Sequence, residues 1–311
     1  MADRQVEHEI LVEASAHDVY RLLAEVENWP RLFPPSIHVD YLERDGNQER
    51  IRIWATANGE AKNWTSRRVL DEAGLRIRFW QEVPAPPVRE MTGTWIIEPL
   101  AQRRSRVRLL HEYSAIDDDP EKLAWIDRAV DDNSRAELPG LRDSLELTAD
   151  GELTRSFSDS VEIDGSAKDV FDFLNEAQHW ADRLPHVSDV EFSEPTPGLQ
   201  NLRLTTLTKD GSSHVTESVR VAFAHHRIVY KQTTLPALLT LHTGYWQLDE
   251  DADGRTTATA EHTVAINPDR IAGILGADAG LPEAHRFLRE ALGGNSLTTL
   301  RHAKEYAEAR R

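Results

Sequence analysis

The stretch Glu13–Trp29, EASAHDVYRLLAEVENW, returns at Asp164–Trp180 as DGSAKDVFDFLNEAQHW, an offset of 164 − 13 = 151 residues. The same offset carries Pro34 to Pro185, Val39 to Val190, Ile53 to Leu204 and Arg76 to Arg227. It continues through Gln81 to Gln232, Gly93 to Gly244, Trp95 to Trp246 and His111 to His262. A register held over about a hundred residues does not arise by chance, so the chain reads as two copies of one domain. The copies are residues 1–149 and 150–311, joined around LTADGELTR at Leu147–Arg155.

Each copy has the same order of elements. A strand around Glu7–Glu13, or Ser158–Asp164, leads into a helix opened by Ser15 or Ser166. An acid follows three residues later, Asp18 or Asp169, as in a capping box with Asp in place of Glu. A proline-containing segment and a series of alternating runs come next, the pattern of half-buried strands. A long helical segment closes each copy, at Pro120–Leu147 and Pro282–Arg310. One long helix laid across a curved antiparallel sheet is an α+β arrangement.

The inward faces of these strands decide whether the interior is a core or a cavity. In the first copy they carry Trp64, Ser66 and Arg68, then Ile77, Phe79 and Gln81. Met91, Gly93 and Trp95 follow, then Leu109, His111 and Tyr113. Unsatisfied polar groups in a dry core cost on the order of 1–3 kcal/mol each. An apolar, aromatic-lined cavity with a few polar groups is instead the usual form of a small-molecule site.

Composition narrows the chemistry. The chain has 311 residues, eight tryptophans, no cysteine and a net charge of −17. Thiolate metal sites and disulfides are excluded, and nucleic acid is disfavoured as a partner. No apolar segment follows a basic start, so neither a signal peptide nor a membrane span is expected, and a cytoplasmic location is. Lys62, Arg67, Arg68, Arg76, Arg78, Arg89, Arg103, Arg104, Arg106 and Arg108 form a local basic region. It reads as a solvated sheet face or as a dock for an anionic partner. No phosphate-binding glycine loop, HExxH pair or G-x-S-x-G elbow is present.

Three residues could carry proton chemistry. His111 titrates nearest neutrality, although an inward histidine is also an ordinary hydrogen-bonded core residue. Arg68 cannot act as a base, but it could hold a developing oxyanion or pair with a buried carboxylate. Glu137, in NSRAEL on the last helix of the first copy, could be that carboxylate. It could equally orient His111, exchange protons itself, or be an exposed helix acid. The constant offset sets Val219 opposite Arg68 and Glu217 opposite Ser66, while NSLTTL sets Thr299 opposite Glu137. Trp180, Glu217, Tyr230, Gln232, His242, Trp246 and His262 are the expected lining of a second, altered pocket.

The motifs LFPPSIHVDYLE, NWTSRRVLD, MTGTWIIE, LLHEYSA and NSRAEL, in this order, resemble the two-domain aromatase/cyclases of bacterial type II polyketide synthases. The resemblance implies two tandem helix-grip domains of the START or Bet v 1 type, each with an interior cavity. In single-domain relatives closing the first ring between carbons 7 and 12, an Arg, a His and an acid form the catalytic set. The matching positions are Arg68, His111 and Glu137, the acid being Asp in such a relative. Relatives that fold the chain between carbons 9 and 14 have Tyr where Ser36 stands and Arg where Gln81 stands. That departure favours the 7,12 closure.

Two-domain members are associated with polyketides reduced at carbon 9. The implied activity is aldol cyclisation, dehydration and aromatisation of a poly-β-ketone held on an acyl carrier protein. Ketosynthase and ketoreductase subunits would be partners, and neither a metal nor another cofactor is implied. Trp29, Phe33, Trp64, Ser66, Phe79, Gln81, Met91 and Trp95 would bind the chain. The alternatives are a non-enzymatic carrier of apolar ligands or a scaffold subunit of the synthase.

Overall fold

Ser15 and Ser166 turn the first strand of each copy into its first helix. Each hydroxyl accepts the backbone N–H of the residue three positions on, Asp18 at 3.2 Å and Asp169 at 3.1 Å, and donates to that residue's carboxylate. The structure, a computed structural model, describes residues 4–147, 152–207, 211 and 213–311. Residues 148–151 of the expected linker lie outside the described residues. The chain divides into two compact units, Met1–Asp150 and Gly151–Arg311.

In the first unit, β1 (Arg4–Val12), α1 (Ala16–Ala24) and the short α2 (Trp29–Leu32) precede six strands. These are β2 (Ser36–Asp45), β3 (Gln48–Ala57), β4 (Glu60–Asp71), β5 (Arg76–Val83), β6 (Val88–Ala101) and β7 (Arg104–Ala115). The long helix α3 (Pro120–Leu147) follows and runs through Pro139. The sheet is antiparallel, in the order β1-β7-β6-β5-β4-β3-β2, and α3 packs on β1, β3, β6, β7 and α2. Gly140 permits the close approach to α2, since a Cβ there would lie 2.5 Å from the Leu32 carbonyl oxygen.

The second unit repeats this plan with β8 (Thr154–Ile163), α4 (Ala167–Asn175) and α5 (Trp180–Arg183). Its remaining strands are β9 (Val187–Thr196), β10 (Leu199–Leu207), β11 (Ser213–Phe223), β12 (Arg227–Thr234), β13 (Leu239–Glu250) and β14 (Thr256–Ile266). Two helices, α6 (Ile271–Leu275) and α7 (Leu281–Glu308), end it. No helix among the described residues is long and apolar enough to cross a membrane.

The repeat departs from its constant offset in one strand, and this corrects the expected matches. Ser66 pairs with Gln81, whereas Ser218, not Glu217, pairs with Gln232. Arg68 lies between Glu49 and Phe79; Arg220, not Val219, lies between Gln200 and Tyr230. The hairpin before β11 is one residue longer than its counterpart, and the hairpin after it one residue shorter. The strand therefore slides by one in number while keeping its place in the sheet. A one-residue slip reverses which face a side chain occupies. Glu217 is consequently exposed and bonds Thr234 at 2.7 Å, outside any interior.

Candidate active site

The interior of the first unit holds a cavity of two adjoining lobes. The inner lobe, about 80 Å³, is lined by Phe33, Ser66, Arg68, Phe79, Trp95 and Leu109 among others. The outer lobe, about 130 Å³, reaches Ala57, Lys62, Pro86, Met91, Trp125 and Ser134. Trp29, Ile53, Trp64, Gln81, His111 and Glu137 line both. All the expected substrate-binding residues border the cavity, Met91 in the outer lobe alone. Tyr113 does not; its hydroxyl donates to Asp127 at 2.8 Å.

One wall, apart from Glu137, goes beyond the residues expected from sequence. Trp125, Ile126, Ala129, Val130, Asn133, Ser134 and Glu137 form a stripe of α3 along the outer lobe. Their spacing is that of one helical face, a signal the sequence carries. Asn58 donates to the Trp125 carbonyl at 3.0 Å and Asn133 to that of Thr56 at 3.1 Å, which holds this stretch of α3 over the β3–β4 hairpin.

His111 is placed by β7, opposite Gly93 of β6. A Cβ at Gly93 would fall 2.3 Å from the Phe79 ring, so the glycine makes room for that ring, which meets His111 edge-on at 5.6 Å. Nδ1 of His111 is enclosed and without a partner, and the side chain lines both lobes. Burial pushes the imidazole down to about 4. Burial pushes the Glu137 carboxyl the other way, up to about 8. At neutral pH the pair is therefore a neutral imidazole and a protonated acid, environments that drive two titrating groups apart as acid–base catalysis requires.

Arg68 has a different setting from the expected one. It is 1% exposed, and its Nε donates to Glu49 at 2.6 Å. Nη1 donates to the Leu23 carbonyl at 3.1 Å and Nη2 to that of Ala24, with Nη2 also 2.5 Å from Glu49 in the ion pair. Glu49, not Glu137, is the buried carboxylate beside it. The guanidinium closes the exposed carbonyls at the end of α1, with Trp29 stacked beneath at 5.7 Å and donating to Leu23 as well. Burial lowers its pKa and Glu49 opposes that. Three of its five N–H groups are hydrogen-bonded to the protein, and the guanidinium side chain borders the inner lobe.

In the second unit the equivalent polar groups meet one another. Tyr230 stands where Phe79 stands, His242 where Met91 does and Ser296 where Ser134 does. The Tyr230 hydroxyl lies 2.8 Å from His262 Nδ1, His242 Nε2 lies 2.9 Å from the same atom, and Ser296 is 2.6 Å from His262 Nε2. Burial holds both imidazoles below their ordinary range, His262 at about 4. Arg220 bonds the Leu174 carbonyl at 2.6 Å and stacks on Trp180, repeating the Arg68 arrangement. Gln200 replaces Glu49 and itself bonds Glu194 at 3.1 Å; burial lowers Arg220 to about 10, and the nearby Glu194 charge opposes that. Trp180 and Trp246 belong to the packed core of this unit.

The chain matches the family described as polyketide cyclase / dehydrase and lipid transport twice, over residues 3–146 and 154–308. It is 49% identical over 298 residues to the granaticin polyketide synthase bifunctional cyclase/dehydratase of Streptomyces virginiae, covering 95% of this chain and 97% of that one. Against the actinorhodin polyketide synthase bifunctional cyclase/dehydratase of Streptomyces coelicolor the identity is 39% over 312 residues, with 97% and 96% covered. Among solved structures, the di-domain ARO/CYC BexL of the BE-7585A biosynthetic pathway superposes with a TM-score of 0.89 at 62% identity, over 99% of this chain and 100% of that one. The di-domain ARO/CYC StfQ of the steffimycin pathway gives 0.86 at 33%, over 98% and 99%. With two matching segments, relatives spanning nearly its whole length and a fold that repeats the same cavity-forming domain, the chain belongs to the polyketide cyclase/dehydrase family in its two-domain aromatase/cyclase form.

Proposed function

We propose that the first domain closes and aromatises the first ring of a carrier-bound, carbon-9-reduced poly-β-ketone, joining carbons 7 and 12. The observation that carries this is the opposed pair in one cavity, neutral His111 and protonated Glu137. His111 removes an α-proton while Glu137 donates its proton to the carbonyl oxygen, so an enol forms without a free enolate. A weak base suffices when the acid acts in the same step. The enol carbon then attacks the second carbonyl; the enol hydroxyl returns its proton to Glu137, and the His111 imidazolium gives its proton to the new alkoxide. Arg68, whose side chain borders the inner lobe, stabilises that oxygen. Loss of a further α-proton and of the aldol hydroxyl, protonated as it leaves, releases one water; elimination of the carbon-9 hydroxyl with a neighbouring α-proton releases a second, and enolisation of the remaining ring ketone completes the aromatic ring. The cavity supplies the folded chain that brings the two carbons together.

The carrier protein approaches the outer lobe in this reading. Most arginines of the basic region are already paired on the outer sheet face: Arg67 with Glu82, Arg108 with Glu7 and Glu98, Arg106 with Glu98. Arg76 and Arg103 lie at turns on the opposite end of the sheet from Ala57 and Pro86. Lys62, Arg89 and Lys122 lie toward the outer-lobe end, and are themselves paired with Glu60, Asp118 and Asp117.

The test supplies the reduced chain from a minimal synthase and ketoreductase and reads the ring formed. The wild type should give the 7,12 ring. His111→Ala and Glu137→Gln should each lower its rate by roughly 100-fold or more. Unchanged product with both variants would mean a carrier or scaffold, and a different ring would overturn the regiochemistry.

A further inference from the structure

The cavity contains polar atoms that neither the fold nor the proposed proton transfers use. Gln81 turns its Nε2 to the Met91 sulfur at 3.3 Å, which leaves Oε1 buried and without a protein partner. The reverse orientation would set an acceptor against a thioether that has no proton to give. Ser134, 1% exposed, likewise has an Oγ without a partner. Both residues line the outer lobe, and Ser134 lies one turn before Glu137 on α3. The rest of that wall is largely apolar: Ile53, Ala55, Val88, Met91, Ile126 and Val130.

Solvent in the free cavity can serve these atoms, but a ligand that fills the lobe must serve them itself or leave them unsatisfied. An amide oxygen accepts and cannot donate, so Gln81 discriminates between ligand groups. A hydroxyl gives it a hydrogen bond. A ketone in the same place offers a second acceptor, and two lone pairs face each other. Sites built to bond a hydroxyl reject the analogue lacking it far better than apolar pockets reject a size change. A serine hydroxyl both gives and accepts, so Ser134 suits either group and does not discriminate.

We propose that Gln81 is a specificity-determining residue that reads a hydroxyl on the substrate, with Ser134 as a neutral second contact. The ligand class is a secondary alcohol carried on an otherwise ketonic or aromatic apolar frame. This rests on the reading above and deepens it: the hydroxyl is the reduced carbon of the chain. The reaction that supplies the substrate is then a carbonyl reduction that precedes ring closure.

The test uses binding, so that it stands apart from turnover. The probes are 1-tetralol and 1-tetralone, bicyclic molecules that differ by a hydroxyl against a ketone. Dissociation constants are measured on the full chain by quenching of tryptophan fluorescence, Trp29 and Trp64 both lining the cavity. The wild type should prefer the alcohol by about tenfold or more. Gln81→Met, of similar shape without an acceptor, should bring the ratio close to one by weakening the alcohol alone. Ser134→Ala should weaken both and keep the ratio.

A ratio unchanged by Gln81→Met, a preference for the ketone, or no binding of either probe would overturn the proposal. Gln81→Leu repeats the comparison if the methionine variant does not fold. Turnover separates the two readings. A protein that forms the ring while Gln81→Met keeps the ratio loses the hydroxyl site and retains the function. One that forms no ring while the ratio collapses retains the site and loses the function.

Discussion

Glu137 shows how a single buried side chain sets function against stability. Its folded pKa of about 8 lies above the ordinary 4.5, so the fold favours the protonated form. Stability from this group is full below pH 4.5 and declines as pH rises to about 8. At pH 7 the accumulated cost is roughly 3 kcal/mol. Glu137→Gln should therefore melt at a higher temperature than the wild type at pH 7 while losing most activity. In the wild type kcat/KM should hold at neutral pH and fall above about pH 8, where the acid loses its proton; a rise through that value would make Glu137 the base. Arg68 differs, because its charge is bound into the fold. Replacing it by Met leaves Glu49 buried with only the exposed Arg44 beside it, at 3.2 Å, a loss of up to roughly 3–5 kcal/mol. The double variant Arg68→Met with Glu49→Met should recover much of that stability in a denaturant titration. If it also recovers ring formation, Arg68 acts through the fold and not on the substrate.

At the scale of strands and helices, legibility followed the reach of each signal. The order of elements, the serine caps and the inward faces could be read because alternation and the repeat are local patterns. The partner of Arg68 is equally legible in the sequence. Asn58 and Gly59 have φ of 50° and 77°, the signature of a two-residue hairpin. Counting outward from that turn sets Glu49 opposite Arg68, as the register has it. The constant offset between copies hid two compensating single-residue changes, because Gln81 and His111 resume the same offset beyond them. The opposed pKa values of His111 and Glu137 were not readable, since they come from burial within a cavity formed by distant segments. Gly93 ties these elements together: its missing side chain admits Phe79 between β5 and β6, close to the Leu110 carbonyl. Gly93→Ala should cost roughly 1–3 kcal/mol in thermal melts and displace the Phe79 ring from His111.

Across the whole chain, the two copies show one fold with its polar groups in two states. In the first unit Gln81 Oε1, His111 Nδ1 and Ser134 Oγ are buried without protein partners, and Glu137 lines the same cavity. In the second, a tyrosine in place of Phe79 and a histidine in place of Met91 reach His262, which also bonds Ser296. Thr299, on the NSLTTL stretch matching that of Glu137, returns its hydroxyl to the Asn295 carbonyl at 3.0 Å. Side chains of the second unit thus occupy the position a ligand would take in the first. Two substitutions account for most of this difference, so they should be transferable. Phe79→Tyr with Met91→His in the first unit adds a hydroxyl and an imidazole beside His111. Both are larger in polar reach than the groups they replace, and their hydrogen bonds can close only across the cavity. The expected result is a first unit that no longer quenches on adding 1-tetralol and no longer forms the ring. Its melting temperature should be equal to the wild type or higher, because the orphaned Nδ1 and Oγ atoms gain partners. Retained ring formation at the wild-type rate would show that ligand binding does not depend on these atoms being left open.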